Sequence, residues 1–172
     1  AATCGHAGAG SMPHFMVLLA SRELGVELAA IPYRGGAAAM QGAAAGETAM
    51  ALGTEGSARA LHQAGKIRVL ATTWERRSPF FAEAPTFIES GVALAQREWF
   101  GTFMPARTSD AQVQAVATAI RELVQDADVR ETWDRNSLLV EASGPAALAQ
   151  TMRTEHDFWG PIVRRSGFTP ES

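Results

Sequence analysis

The sequence predicts an α/β fold: a mainly parallel sheet flanked by helices, followed by a C-terminal helical segment. Three observations carry that prediction. Short apolar runs alternate with helical patterns through residues 1–104, the arrangement that pairs strands in parallel and lays helices on the faces. Three of the crossovers open on a glycine-bearing turn at a strand's carboxyl end, at Gly5–Gly10, Gly35–Gly36 and Gly53. Ligands of open α/β sheets bind at that end. From residue 105 the pattern turns to amphipathic helices.

The elements follow in order. Ala1 to Cys4 reads as a strand that runs into the glycine loop. Ser11 or Met12 caps a helix through about Leu24, with Phe15, Leu18 and Leu19 on one face. Pro13 sits in its first turn, where a missing N–H does no harm. Gly25 stops it. Glu27 to Tyr33 is the next strand, an alanine-rich helix covers Ala37 to Ala45, and Thr48 to Leu52 is a short buried strand. A helix over Glu55 to Ala64 and a strand over Ile67 to Thr73 complete the alternation. Trp74 to Ser78 is a charged turn, Pro79 to Gly91 a loop with a short helix, and Arg97 to Met104 reads as a further strand.

Beyond Pro105, Val113, Val116, Ile120 and Leu123 share one helical face, with Asp110 as the expected cap. A short helix over Asp128 to Asn136 and a brief strand over Leu138 to Glu141 come next. Pro145 starts the last helix, with Leu148, Met152 and Trp159 on its inner stripe and a kink expected at Gly160-Pro161.

Composition narrows the function classes. With 172 residues the chain can build one good core or two small lobes. Its hydrophobic fraction is 47% and its charged fraction 19%, values of a globular protein. A net charge of −3 offers no basic face for nucleic acid. No apolar run approaches the roughly eighteen residues of a membrane span. The chain opens without a methionine, a charged n-region or an apolar h-region, so any targeting segment is expected outside it. The one cysteine, Cys4, excludes an internal disulfide and a thiolate zinc cluster.

Chemistry concentrates in Thr3 to Phe15, T-C-G-H-A-G-A-G-S-M-P-H-F. Glycine permits close backbone approach, and the helix start behind it offers unpaired N–H groups at a positive dipole end. The pair suits an anion. Gly5-x-x-x-x-Gly10 has phosphate-loop spacing, but Ser11 stands where the lysine belongs. The dinucleotide pattern fails as well, because Pro13 replaces its last glycine. A carboxylate held by main-chain amides is the reading that remains, beside that of a ligand-free turn. The candidate contacts are Gly5, His6, Gly8, Ala9, Gly10, Ser11 and His14 from this loop, with Tyr33, Gly35, Gly36 and Ala37 from the next. His6 is read as exposed at the loop tip, and Tyr33 as lining the cleft or, as strand-end aromatics usually do, packing. Arg34 offers a carboxylate clamp, or else a solvated arginine at a turn.

Five segments in register resemble one family: the loop above, I-P-Y-R-G-G-A-A-A-M, H-Q-A-G-K-I-R-V-L-A-T-T, R-S-P-F-F-A-E-A-P-T-F-I-E-S-G and E-W-F-G-T-F-M-P-A. They are similar to the substrate-binding receptors of tripartite tricarboxylate transporters, the TctC or Bug group. The resemblance implies a type II periplasmic-binding-protein-like fold of two lobes that close on a small organic carboxylate. The ligand would be a dicarboxylate, a tricarboxylate or an amino acid. It implies a periplasmic location, membrane components of the transporter as partners, no enzyme activity and no cofactor. Residues 1–104 match the family's second lobe and 105–172 its return segment, so a first segment building lobe one is expected upstream. Without it, the helical faces of 110–172 would expose apolar surface or self-associate. The chain departs from the family at His6, Ala7 and Met12, where small hydroxyl residues are common, and at Ala49, where an aspartate is common.

Two other classes share parts of this pattern. The effector-sensing domain of a transcriptional regulator has the same two-lobe architecture and requires a DNA-binding segment upstream. An enzyme acting on a phosphorylated or acyl substrate predicts turnover. No G-x-S-x-G elbow supports the latter, since Ser57 in E-G-S-A-R lacks the second glycine. His62 and His156 have no partner at metal spacing. Trp74, Trp99, Trp133 and Trp159 read as core or inter-lobe packing, and Arg76-Arg77 as a solvated turn.

Overall fold

The computed structural model describes residues 1–169; the last three residues of the 105–172 segment lie outside them. The chain forms two compact units, one from Ala1–Glu98 together with residues 162–169, the other from Trp99–Pro161.

The first unit is built on three parallel strands, β1 (Ala2–His6), β2 (Leu28–Pro32) and β3 (Met50–Ala51), in the order β2-β1-β3. β1 is central, paired from Ala2 opposite Leu28 to His6 opposite Pro32, and on its other edge with Cys4 opposite Met50. Helix α1 (Met12–Leu24) carries the chain from β1 to β2, and α2 (Gly36–Ala45) carries it back across β1 to β3. Those two crossovers run in opposite directions, so right-handed connections put α1 and α2 on opposite faces. The contacts agree: α1 packs on β1 and β2, whereas α2 packs on β1 and β3. Reversal around β1 makes the carboxyl end of this strand a switch point, the place where open α/β sheets bind their ligands.

Local chemistry sets the boundaries. Ser11 caps α1, as expected. At the other end the Gly25 N–H bonds Arg22 O and the Val26 N–H bonds Ser21 O, which ties off the last turn. The same pair of bonds recurs at Gly46 and Glu47, and at Gly65 and Lys66 after α3 (Glu55–Gln63). α1 buries Phe15, Met16, Val17, Leu19 and Ala20. On α2 and α3, Met40 and Ala58 join Phe81 and Ala84 in a second cluster. Each fully buried large side chain contributes about 1.5–3 kcal/mol.

Three expectations fail in this unit, the first being the short helix within Pro79 to Gly91, which is a run of turns and bends. Ile67 to Thr73 forms no strand; Thr72 bridges Thr86, and Thr73 takes the Gln96 N–H on its carbonyl while its hydroxyl donates to the Gln96 carbonyl. Leu70 is 59% exposed, so apolar character here marks no sheet interior. The turn after it is not simply solvated. Trp74 lies half-buried between the guanidinium groups of Arg76 and Arg97, 4.4 and 4.6 Å from its ring centre, an attraction to the ring face. Arg77 pairs with Glu89 at 3.0 Å, and Glu89 also accepts the Thr86 amide.

The second unit holds α4 (Asp110–Leu123), α5 (Ala127–Arg135) and most of α6 (Pro145–Ser166). Ser109, not Asp110, is the cap of α4: its hydroxyl accepts the Gln112 N–H while the Gln112 side chain returns to the Ser109 N–H, a reciprocal box. Neither α4 nor α5 buries a residue. Leu123 is exposed, and Val124 just past the helix is buried in its place. The expected strands at Arg97 to Met104 and Leu138 to Glu141 are absent, and Phe100 and Phe103 are 81% and 65% exposed. Trp99 and Trp133 are exposed rather than core, and so is Met152 of the expected inner stripe of α6. α6 runs through Pro161 without a break.

Candidate functional site

Because all three strands are parallel, the turns that follow them gather on one edge of the sheet. The first two are joined at a single atom. The His6 carbonyl accepts the Gly8 N–H at 3.0 Å and the Tyr33 N–H at 2.9 Å. The Gly35 N–H then closes a tight turn on Tyr33 O at 2.9 Å. The third turn is attached by the Leu52 N–H on Gly5 O at 2.9 Å.

The glycine loop is a bonded structure in its own right. Gly8 and Gly10 adopt φ of 89° and 74°, a region that residues with a Cβ enter only at a cost. Ser11 Oγ donates to Gly8 O at 2.7 Å and accepts the His14 N–H at 3.4 Å. The Ser11 N–H reaches the same Gly8 carbonyl at 3.4 Å, and the Gly10 N–H donates to His14 Nδ1 at 3.2 Å. Three of the loop's amides, those of Gly8, Gly10 and Ser11, are therefore occupied by protein groups. Among the described residues the amides of Ala7, Ala9 and Met12 find no protein acceptor. Nor do those of Gly36 and Ala37, which open α2 behind the side-chain-free cap Gly35. Those of Met12, Gly36 and Ala37 are the orphan donors of two helix starts.

His6 is not at an exposed tip. It is 1% exposed and stacks on His14, with ring centres 4.8 Å apart and planes 19° from parallel. The reason is strand alternation: His6 follows Cys4 by two residues and shares its inward face. His6 Nδ1 lies 3.1 Å from Gly8 O and must donate there, while His14 Nδ1 must accept from Gly10. Neutral His6 thus carries its proton on Nδ1, and neutral His14 on Nε2. Burial holds both imidazoles below the usual histidine value; for His6 the His14 charge adds to this and the Gly8 carbonyl opposes it.

Tyr33 takes the packing role of a strand-end aromatic. Its ring lies against Gly5 and Gly42, where an added Cβ would meet it, and its hydroxyl donates to Glu47 Oε2 at 3.0 Å. Only its backbone belongs to the loop cluster. Arg34 is exposed at the turn.

Three residues that sequence reasoning passed over belong here. In the third turn, Thr54 Oγ1 and Ser57 Oγ lie 2.8 Å apart, and Ser57 sits so close to Gly36 that a Cβ there would fall 2.6 Å from its Oγ. The parallel order of strands was the available signal. The other is Phe168, whose ring stands edge-on to His14 and Phe15 at 5.9 and 5.6 Å. Nothing in its local sequence marks it.

The result is a sheet edge lined by small residues, hydroxyls and uncommitted amides, suited to an anion. Among the described residues, no group of three or more His, Cys, Asp or Glu is placed to hold a metal ion.

Comparison with known proteins identifies the family. Residues 2–168 match the model of the tripartite tricarboxylate transporter family receptor, TctC. The UPF0065 protein in the clcB-clcD intergenic region of Pseudomonas knackmussii is 25% identical over 159 residues, 91% of this chain and 94% of that protein. Among solved structures, Rpa4515 of R. palustris with adipate superposes with a TM-score of 0.84 at 24% identity, over 99% of this chain and 57% of that one. MatC (Rpa3494) from Rhodopseudomonas palustris with bound malate gives 0.80 at 25%, over 94% and 56%. The chain thus spans little more than half of those two structures.

Proposed function

Since the chain belongs to the tripartite tricarboxylate transporter receptor family, we propose that it captures a small organic carboxylate and contributes one wall of the cleft that holds it. The observation that carries this reading is the set of uncommitted amides, those of Ala9 and Met12 around the start of α1 and of Gly36 and Ala37 opening α2, on two loops joined through the His6 carbonyl. Amide donors of that kind recognise a carboxylate without a fixed cation. The Thr54–Ser57 hydroxyl pair supplies adaptable donors at the same edge. Adipate and malate, bound by Rpa4515 and MatC, define the substrate class to try first. In the cell the receptor would work in the periplasm and hand its ligand to the membrane components of a tripartite transporter.

Calorimetry with malate, adipate, citrate and a set of amino acids tests the reading, and silence across the panel would end it. Ala37→Pro sharpens the test. Proline removes one N–H at the second position of α2, the position that Pro13 occupies without harm in α1. Loss of one hydrogen bond to a charged group weakens binding by about 1.5–3 kcal/mol, a factor of roughly ten to a hundred, with the circular dichroism of the fold unchanged. Full affinity in that variant would remove α2 from the site.

A further inference from the structure

The stacked histidines do something that an amide cradle does not require. His14 Nδ1 holds the Gly10 N–H, a loop donor thereby withheld from the proposed ligand, and it can do so only while that nitrogen is unprotonated. Protonation reverses the relationship. The Gly10 N–H and a His14 Nδ1–H would then be two donors 3.2 Å apart with no acceptor between them, an arrangement that one carboxylate oxygen satisfies at both ends. We propose that His14, buttressed by His6, is a proton-linked latch on the glycine loop: taking up one proton on Nδ1 releases the Gly10 amide to the ligand, so that carboxylate capture draws in a proton. This rests on the carboxylate reading and adds a positioning residue and a pH dependence to it.

The surroundings make the pair the controlling charges. Along β1, Cys4 shares the inward face of His6 and is a neutral thiol, pushed up to about 11 chiefly by burial. From β2, Tyr33 turns its hydroxyl to Glu47, on the far side of Gly5. From α1, Phe15 lies 5.1 Å from the His14 ring, and from the chain after α6, Phe168 covers its edge. The nearest cations of that last element, Arg164 and Arg165, are exposed. Among the described residues, the charge that His6 meets is that of His14. Neutral rings tolerate this stack. One imidazolium in it is unfavourable until an anion arrives, and that difference is the coupling.

Two measurements decide the matter. In the ligand-free chain, nitrogen and carbon NMR between pH 5 and 8 should show neutral His14 as the Nε2–H form. The Gly10 amide resonance should move with the midpoint of His14, and its titration should vanish in His14→Gln. A Gly10 amide that stays put while His14 titrates overturns the latch. With malate and adipate as probes, calorimetry in buffers of different ionisation enthalpy should register uptake of up to one proton. Affinity should rise by up to tenfold per pH unit as pH falls towards the free-protein midpoint, and His14→Gln should flatten that slope. Binding without proton uptake rejects the latch and leaves the carboxylate reading standing. Absence of binding at every pH rejects both.

Discussion

Phe168 closes over Gly10: a methyl group on the Gly10 Cα would meet the Phe168 ring at 2.9 Å from Cε1 and closer still at Cζ. One of the last described residues thereby walls the first loop, since Gly167 turns the chain at the end of α6 with φ of 70°. Gly10→Ala is penalised twice, by a Cβ at φ of 74° and by displacement of that ring. The first term is about 1–2 kcal/mol. In Phe168→Ala the second term disappears, so urea denaturation of the four-protein cycle should find Gly10→Ala less damaging there. Equal losses in both backgrounds would show that the ring yields freely.

Ser11 holds the loop at both ends, and its removal separates capping from ligand contact. Its Oγ already donates to Gly8 O and accepts the His14 N–H, so the hydroxyl is engaged in positioning. Ser11→Ala should cost about 1 kcal/mol of stability, as caps do. It also releases Gly8 O and shifts the loop, so carboxylate affinity should fall with it. Ser11→Asp keeps the acceptor for His14, and should recover the cap while repelling an anion. If Ser11→Asp binds malate as well as the parent chain, the loop is not the anion's seat.

The opening βα unit was legible because its determinants are local. Ser11, Pro13 and Gly25 each act within a turn of where they stand, and the stops at Gly46 and Gly65 follow the same rule. The three expected strands at 67–73, 97–104 and 138–141 failed for a shared reason. Apolar alternation reports a side chain's preference for cover, whereas a strand also needs a hydrogen-bonding neighbour that no local window contains. Thr72 finds only the bridge to Thr86, and Phe100 finds no cover in its own unit. Two errors were avoidable. His6 shares the period-two face of buried Cys4, and Ser109-x-x-Gln112 spells a capping box one residue before the expected cap. Phe168 was beyond reach, because what brings it to Gly10 is the whole course of the chain between them.

Cys4 offers a reporter of that opening unit. It is 2% exposed in the central strand, and burial pushes its thiol up to about 11. The thiolate is the reactive form, so native protein should resist a disulfide exchange reagent at pH 8. Labelling should then proceed only through opening of β1, and accelerate with urea in step with the loss of circular dichroism. Prompt labelling in the absence of denaturant would mean that β1 opens locally, well below the global transition.

Acid should weaken the fold before it reaches the carboxylates, and the direction follows from the two imidazoles. Both His6 and His14 sit below 6.5 in the folded chain, chiefly through burial. Below that value the unfolded chain binds protons that the native chain refuses, so stability falls with pH until the folded midpoints are passed, and then levels off. Glu55 works the other way. Burial raises its carboxyl above 4.5 against the Ser78 hydroxyl bond, so its protonation at lower pH relieves a strain rather than adding one. Urea midpoints should therefore drop from pH 7.5 to 5.5 in the parent chain, and the drop should shrink in His14→Gln, which cannot titrate. Malate, if it favours the protonated pair, should oppose the same drop by raising both midpoints. A parent chain whose midpoint is flat across this range would mean that the buried pair accepts a proton without penalty, and the stack would then hold no charge-dependent energy to couple to anything.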